Sequence, residues 1–282
     1  MKKQYRRFFR TLFSRKIMIA ALGVVLFFLL CAVASPLMAT HDPNEQNLAE
    51  RFQGISAQHW LGTDQFGRDQ YSRIVYGARV AYLVGILAVI VGAFFGCLIG
   101  LVSGYFGGWV DSLLMRLMEA QMSIPALILA LALVAVLGRS VPMLIFLLGI
   151  SSVPGFARMM RGQVMTIRET DYVAASRIRG NSSWFTMVRH VLPNCISPII
   201  VVMTQSIGGS ILAEAGLSFL GAGIVPPTPS WGSMVNAGYQ NMQQSFLCAA
   251  APGVAVILLV LAFNILGDGL RDALDPRIRN TR

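Results

Sequence analysis

The 282-residue chain is 55% hydrophobic and only 13% charged, whereas a soluble domain carries roughly 25% charged residues. One soluble core cannot bury that much apolar surface, so the composition predicts a protein whose helices span a lipid bilayer, each with about 20 apolar residues. The net charge of +10 does not indicate nucleic-acid binding, because the basic residues stand beside apolar segments as they do at the cytoplasmic flanks of membrane helices.

Six apolar segments predict six membrane-spanning helices and therefore an all-α membrane fold. The first segment, at 17–39, follows a basic tail at 1–16. Its length favours a retained anchor over a cleaved signal peptide, an alternative that the small residues at 32–35 leave open. The other five spans form a core at 80–267 and are predicted at about 80–104, 113–137, 142–160, 194–215 and 246–267.

Arginine is distributed unevenly among the segments that join these spans. Residues 158–189 hold a cluster of arginines, whereas the loop at 216–245 contains neither lysine nor arginine. Because cytoplasmic segments are enriched in basic residues, the stretch at 170–193, both termini and the tail at 268–282 are predicted to be cytoplasmic. The loops at 40–79 and 216–245 are then predicted to lie on the outer, periplasmic side.

The loop at 40–79 is rich in turn residues and charges. It predicts either a folded collar, with Arg68 paired to Asp64 or Asp69, or a contact with a partner protein. His41 and His59 share the loop, which leaves metal capture open as an alternative. The three histidines of the chain are too scattered in sequence to predict a metal site, however, and none is assigned.

The loop at 216–245 contains the run PPTPSWG. It is predicted to be stiff, because each proline fixes its own φ angle. Pro226, Pro227 and Trp231 are therefore candidates for a gate or a docking lip, and Trp231 suits either a membrane interface or a partner contact.

Three polar side chains in or near the predicted spans are candidates for a pore or a gate. Gln205 stands on a span that also contains Pro198 and paired glycines, and such a polar, broken helix is predicted to face protein or water. Glu119 is predicted either to pair with Arg116 or to contact a substrate. Glu214 is predicted to lie either at a gate or at the membrane interface.

No catalytic constellation or cofactor site is predicted. The phosphate-cradling sequence G-x-x-x-x-G-K-[ST] does not occur in the chain. The chain is therefore expected to be a non-enzymatic component.

Residues 170–193 form a polar, basic island with the pattern of two helices and a turn. Thr170 or Asp171 can cap the first helix, Gly180 suits the turn because glycine reaches positive φ without a Cβ clash, and Pro193 marks a new segment. Small side chains would let another protein approach the first helix closely. The stretch is thus predicted to be a docking hairpin with the contact residues Ala174, Ala175, Ser176, Arg179, Gly180 and Pro193.

Helical spacing also predicts which side chains share a face in this hairpin. On the first helix these are Tyr172, Ala175, Ser176 and Arg179. The residues at 181–183 offer a cap for the second helix. Its predicted apolar face consists of Trp184, Met187, Val188 and Val191.

The hairpin resembles the cytoplasmic signature of the inner-membrane permeases of ATP-binding-cassette importers: E-A-A, three residues, G, nine residues, I-x-L-P. The spacing from Ala174 through Gly180 to Pro193 matches throughout, and Ala174, Ser176 and His190 depart from the signature residues. Three more stretches resemble the second permease subunit of the dipeptide, oligopeptide and nickel branch: 59–79, 217–234 and 263–277.

This resemblance implies a type I importer permease in a bacterial inner membrane. It implies a second, homologous permease subunit, two ATPase subunits that bind ATP and Mg²⁺ and dock on the hairpin, and a periplasmic or lipid-anchored substrate-binding protein. The implied substrates are dipeptides or short oligopeptides, with nickel, a nickel chelate or glutathione as alternatives. A secondary transporter and a structural membrane anchor are the competing functions.

Overall fold

The computed structural model describes residues 15–274, so 1–14 of the predicted basic tail and 275–282 of the C-terminal tail lie outside the described residues. Within that range the regular elements are helices, apart from an isolated bridge between Thr63 and Asp69, and the predicted all-α class is confirmed. The helices are α1 Lys16–Val33, α2 Ser35–Met38, α3 Gln70–Phe106, α4 Gly108–Met122, α5 Ala126–Leu137, α6 Val141–Arg168, α7 Asp171–Ile178, α8 Ser183–Thr186, α9 Leu192–Phe219, α10 Trp231–Gln240 and α11 Leu247–Leu274.

Five of the described helical stretches are long and apolar enough to cross a membrane, or six if a bent pair counts as one span. The bent pair is α4 with α5, which meet at an angle of 82°. The prediction of one continuous helix at 113–137 was therefore wrong. Pro125 precedes the first residue of α5, and proline disfavours helical geometry in the residue before it, which breaks the helix there.

The centre of the fold is the contact between α3 and α6. Gly92, Gly96, Gly100 and Gly104 recur every four residues along α3, and a Cβ atom on any of them would meet atoms of α6. A Cβ on Gly100, for example, would collide with the carbonyl oxygen of Ala157. The predicted role of these glycines in close helix packing is confirmed.

The two ends of α3 carry different structures. Its 37 residues correspond to a rod of about 55 Å, at 1.5 Å per residue. The helix begins at Gln70, ten residues before the predicted span, because Asp69 caps it by accepting a hydrogen bond from the Ser72 amide at 2.8 Å. Residues 40–69, called the collar below, adjoin this first end.

The second end of α3 is held by ionic contacts that the sequence did not indicate. Asp111 on α4 accepts two hydrogen bonds of 2.6 Å from the Arg161 guanidinium on α6, and a third of 2.5 Å from the Ser103 hydroxyl. Arg168 donates to the carbonyl oxygens of Gly104 and Tyr105 at 3.2 Å each. These contacts fix the end of the bundle on which the hairpin rests.

Candidate functional sites

The stretch at 170–193, called the hairpin below, contains the predicted glycine turn and the predicted cap of its second helix. The predicted side-chain cap of its first helix is absent, because the Thr170 hydroxyl donates to the Ile167 carbonyl oxygen at 2.6 Å and accepts no hydrogen bond from the helix. The first helix ends before Gly180, which has a φ of +77°. The Ser182 side chain then accepts a hydrogen bond from the Phe185 amide at 3.2 Å and caps the next helix. A glycine turn and a serine cap therefore set the angle between the two arms.

The second arm does not end at Pro193. A π-helical turn at Met187–Val191 joins α8 to α9, and the whole of Ser183–Phe219 is one continuous 37-residue helix. The interpretation of Pro193 as the start of a separate segment was therefore wrong. Proline cannot donate a backbone hydrogen bond. The π turn just before it has an altered hydrogen-bond pattern, and the helix continues through Pro193.

The four side chains predicted to share a face of the first arm are not equally exposed. Val173 and Ser176 are buried, whereas Tyr172, Ala175 and Arg179 are exposed. The Ser176 hydroxyl lies 3.1 Å from the Thr186 hydroxyl of the second arm and accepts a hydrogen bond from the Asn181 amide at 3.0 Å. Ser176 thus braces the hairpin from inside rather than presenting its side chain to a partner.

The second arm shows a similar division. Met187 and Val191 are buried as predicted, while Trp184 and Val188 of the same predicted face are exposed. The buried side chains pack with Tyr105 on α3 and with neighbouring residues of α6 and α9. The guanidinium of Arg177 also lies 5.1 Å from the centroid of the Tyr105 ring, a cation–π distance. The hairpin is consequently packed firmly against the bundle.

The outward surface of the hairpin combines small, apolar and basic side chains. Ala174, Ala175 and Arg179 are exposed, and Ile178 is 86% exposed at the tip of the first arm. Other large apolar side chains accompany it on this surface: Tyr172, Trp184, Phe185 and Val188. Exposed large apolar side chains are typical of interaction surfaces, so this surface is a candidate docking site.

The collar is organised by the Asp64 carboxylate. Asp64 accepts hydrogen bonds from the amides of Phe66 at 2.8 Å and Arg68 at 3.0 Å, and from the Arg68 guanidinium at 2.7 Å. Arg73 on α3 approaches the same carboxylate at 3.8 Å. The structure confirms the pairing of Arg68 with Asp64, and all three charged side chains are buried.

Asp69 does not pair with Arg68 through its side chain; it organises a second group of contacts. One carboxylate oxygen caps α3, and the other lies 2.9 Å from the Nδ1 atom of His59. His41 Nδ1 lies 3.9 Å from that second oxygen. Two histidines that are 18 positions apart in sequence therefore share one carboxylate. Sequence spacing gave no signal for this.

The collar and the loop at 216–245 share a cavity of about 360 Å³. Its wall includes Asp64, Arg68, Pro226 and Pro227, so four of the six predicted outer-loop candidates come together. The side-chain oxygen of Gln70 is buried in the same wall and has no hydrogen-bond partner among the described residues.

Trp231 lies elsewhere, and its predicted role at a membrane interface or partner contact was wrong. The side chain is 1% exposed, and its indole N–H donates to the Ile74 carbonyl oxygen at 2.9 Å. Its ring meets Phe28 edge-on at 5.2 Å between centroids. Gly77 leaves the space for the indole, since a Cβ there would lie 2.6 Å from it. Trp231 anchors α10 to α1 and α3.

Changing Asp64 to Asn is expected to destabilise the folded protein by about 3 kcal/mol, because the buried Arg68 and Arg73 side chains lose their counter-charge. The measurement is thermal unfolding of the purified protein in detergent. Glu45→Gln, which removes an exposed carboxylate of the same loop, is the matched control. Equal melting temperatures for the two variants would show that the pair contributes nothing to the collar.

The three pore or gate candidates do not form one site. Glu119 is exposed and lies 3.5 Å from Arg116, as one of its two predicted roles requires. Gln205 donates to the Asp268 carboxylate of α11 at 2.9 Å. Glu214 is buried and accepts a hydrogen bond from the Ser218 hydroxyl at 2.7 Å. Gln205 and Glu214 both lie on α9, the helix that continues from the hairpin.

A bundle of membrane-length helices with an exposed hairpin at one end and a folded collar at the other is the architecture of a multi-span membrane protein. Residues 92–280 match the family described as the inner-membrane component of binding-protein-dependent transport systems. Residues 3–54 match the N-terminal membrane domain of oligopeptide transport permease C. The chain belongs to this family of ATP-binding-cassette importer permeases and is a transport subunit.

Relatives of known function resemble the chain over nearly its whole length. The dipeptide transport permease DppC of Alkalihalophilus pseudofirmus is 40% identical, over 98% of this chain and 91% of the relative. The di/tripeptide permease DppC of Pseudomonas aeruginosa is 41% identical, over 92% and 89%. The glutathione permease GsiD of Pectobacterium atrosepticum is 38% identical, over 99% and 93%.

Proposed function

We propose that the chain, together with a second homologous permease, forms the translocation path of an ATP-driven importer for dipeptides or short oligopeptides. The relatives are named for dipeptides, di- and tripeptides, and glutathione, all of which are short peptide-like molecules. A substrate-binding protein delivers the substrate to the collar side, and two ATPase subunits supply ATP and Mg²⁺ binding. Glutathione and nickel, free or chelated, are the alternative substrates.

The observation that carries the coupling part of this proposal is the rigid link between the hairpin and α9. The exposed arms hold Ile178 and Trp184, and the second arm runs without interruption into the helix that bears Gln205 and Glu214. An ATPase subunit bound to the arms would therefore move α9 directly. Two states of the ATPase pair would bias two states of the membrane bundle.

The proposed orientation places the hairpin and both termini in the bacterial cytoplasm and the collar in the periplasm. The arginine cluster at 158–189 supports this orientation through the positive-inside rule. The collar and the hairpin adjoin opposite ends of α3, as two docking surfaces on opposite sides of a membrane require.

A cysteine introduced at Ser182 is expected to react with a membrane-impermeant maleimide only in inside-out vesicles, after the four native cysteines are replaced by serine. Ala57→Cys on the collar, which is exposed in the same way, should react only in intact spheroplasts. Ser183→Cys repeats the hairpin test with the Ser182 cap retained. Labelling of position 182 or 183 from outside would invert the orientation.

The substrate is tested by uptake. Cells that carry this permease with its complete importer should accumulate labelled dipeptide, and unlabelled dipeptide should compete more strongly than glutathione or nickel. Accumulation of radioactive nickel without dipeptide uptake would favour the metal alternative. If glutathione alone displaced the labelled dipeptide, glutathione would be favoured as the substrate.

A further inference from the structure

Two histidines and an aspartate of the collar have their side chains gathered at one point, although they come from three separate chain segments. His41 follows α2, His59 lies in the middle of the collar, and Asp69 caps α3. One potential metal-ligating atom of each lies within 4.8 Å of the others. From this arrangement we propose that the collar binds a divalent transition-metal ion of the zinc class.

The distances are close to those that a zinc ion needs. His59 Nδ1 and Asp69 Oδ1 are 2.9 Å apart, and His41 Nδ1 is 3.9 Å from the same oxygen. Ligand atoms around tetrahedral zinc, with metal–ligand bonds of about 2.0–2.1 Å, are separated by roughly 3.3 Å. The widest separation among the three ligand atoms is up to 4.8 Å, so a shift of the half-exposed His41 ring by roughly 1.5 Å would bring three ligands into range.

The surroundings of the cluster also suit a cation. Glu50 Oε2 lies 3.7 Å from His59 Nε2, so a second carboxylate faces the ring nitrogen that the metal would leave free. Such outer carboxylates orient metal-bound histidines. Two imidazoles with one carboxylate are donors that suit zinc better than magnesium or calcium.

The site has an entry route and a structural consequence. An open cavity of about 480 Å³ lies beside His41 and is lined also by Thr40, Asp42 and Tyr76. An ion at the cluster would link the segment after α2, the middle of the collar and the start of α3. It would therefore stabilise the collar as one unit and leave a fourth coordination position for water.

The test uses the intact importer carrying a tag without histidine. The protein is stripped with EDTA, incubated with zinc chloride, desalted and analysed for bound zinc by mass spectrometry. We expect the importer to retain one equivalent of zinc that is bound by this chain. Its melting temperature should also rise when zinc is added. His41→Ala removes a proposed ligand, so it should weaken zinc binding by at least the roughly tenfold to hundredfold that loss of an outer partner costs.

His190→Ala is the matched control, because it removes the remaining histidine of the chain, on the hairpin. It should leave zinc binding unchanged. Three results would overturn the site: no zinc retained by the unsubstituted importer, equal retention after His41→Ala, or equal losses in the two variants. Because zinc binding is measured without transport, the outcome is independent of the proposed substrate.

Discussion

Changing Ala175 to Arg is expected to abolish ATP-driven uptake while leaving the permease folded in the membrane. Ala175 is exposed on the hairpin, so the longer side chain fits the isolated protein and obstructs only a partner that approaches closely. Loss of a central interface contact costs about 2 kcal/mol or more, which weakens docking roughly thirtyfold. The measurements are ATPase co-purification and peptide uptake in the same preparation.

Ala57→Arg is the matched control for this prediction. It makes the same substitution at an exposed alanine of the collar, and ATPase co-purification should stay at the level of the unsubstituted protein. Gly180→Val should also uncouple ATP hydrolysis from uptake. A β-branched residue is strained at a φ of +77°, so the substitution would distort the turn of the hairpin. Normal uptake by both hairpin variants would exclude the hairpin as the ATPase-docking element.

The double variant Gly96→Ala with Gly100→Ala is expected to lose roughly 4 kcal/mol of folding stability, since overpacking costs about 1–3 kcal/mol at each site. The new Cβ at position 96 would lie 2.6 Å from the Val153 carbonyl oxygen, and the one at position 100 would lie 2.8 Å from the Met160 Cβ. The two long helices would have to move apart. Thermal unfolding in detergent and the yield of folded protein are the measurements.

Gly155→Ala with Gly162→Ala supplies the control for the helix contact. Both glycines lie on α6, and a Cβ on either would have no neighbour within 4 Å. This second double variant should melt at or slightly above the melting temperature of the unsubstituted protein, because alanine has a higher helix propensity than glycine. Similar losses in the two double variants would contradict the account of close packing between α3 and α6.

Hydrophobicity and local chemistry were enough to predict much of the fold. The apolar segments gave the approximate positions of the spans, and the glycine spacing of α3 predicted its packing. The turn at Gly180 and a cap at 181–183 followed from local backbone preferences. An apolar segment does not reveal whether its helix is straight or broken, however, so the bend before Pro125 was missed.

Side-chain burial in the hairpin and the loops was harder to predict because it depends on distant parts of the chain. Helical spacing grouped Ser176 with Tyr172 on one face, but Ser176 is buried beside Val173, since the position of α6 and α9 decides which side is covered. Trp231 was predicted to lie at a membrane interface or a partner contact because the space beside Gly77, more than 150 positions away, is invisible in sequence.

Within the collar, the pairing of Arg68 with Asp64 was predicted, but the meeting of two histidines with Asp69 was not, and metal capture by the histidines was only an open alternative. His41, His59 and Asp69 meet because the loop folds back on the first turn of α3. Thr40, Ser72 and Asp69 form the hydrogen bonds that hold this fold, and each belongs to a separate local pattern. Spacing alone could therefore not indicate the cluster.

ATP-driven transport is tested most directly by uptake of a labelled dipeptide into proteoliposomes that contain this chain, its partner permease and the binding protein, with or without the ATPase subunits. We expect the dipeptide to accumulate only when the ATPase subunits and ATP are both present. Accumulation of the dipeptide without any ATPase subunit would contradict this expectation and would favour a secondary transporter.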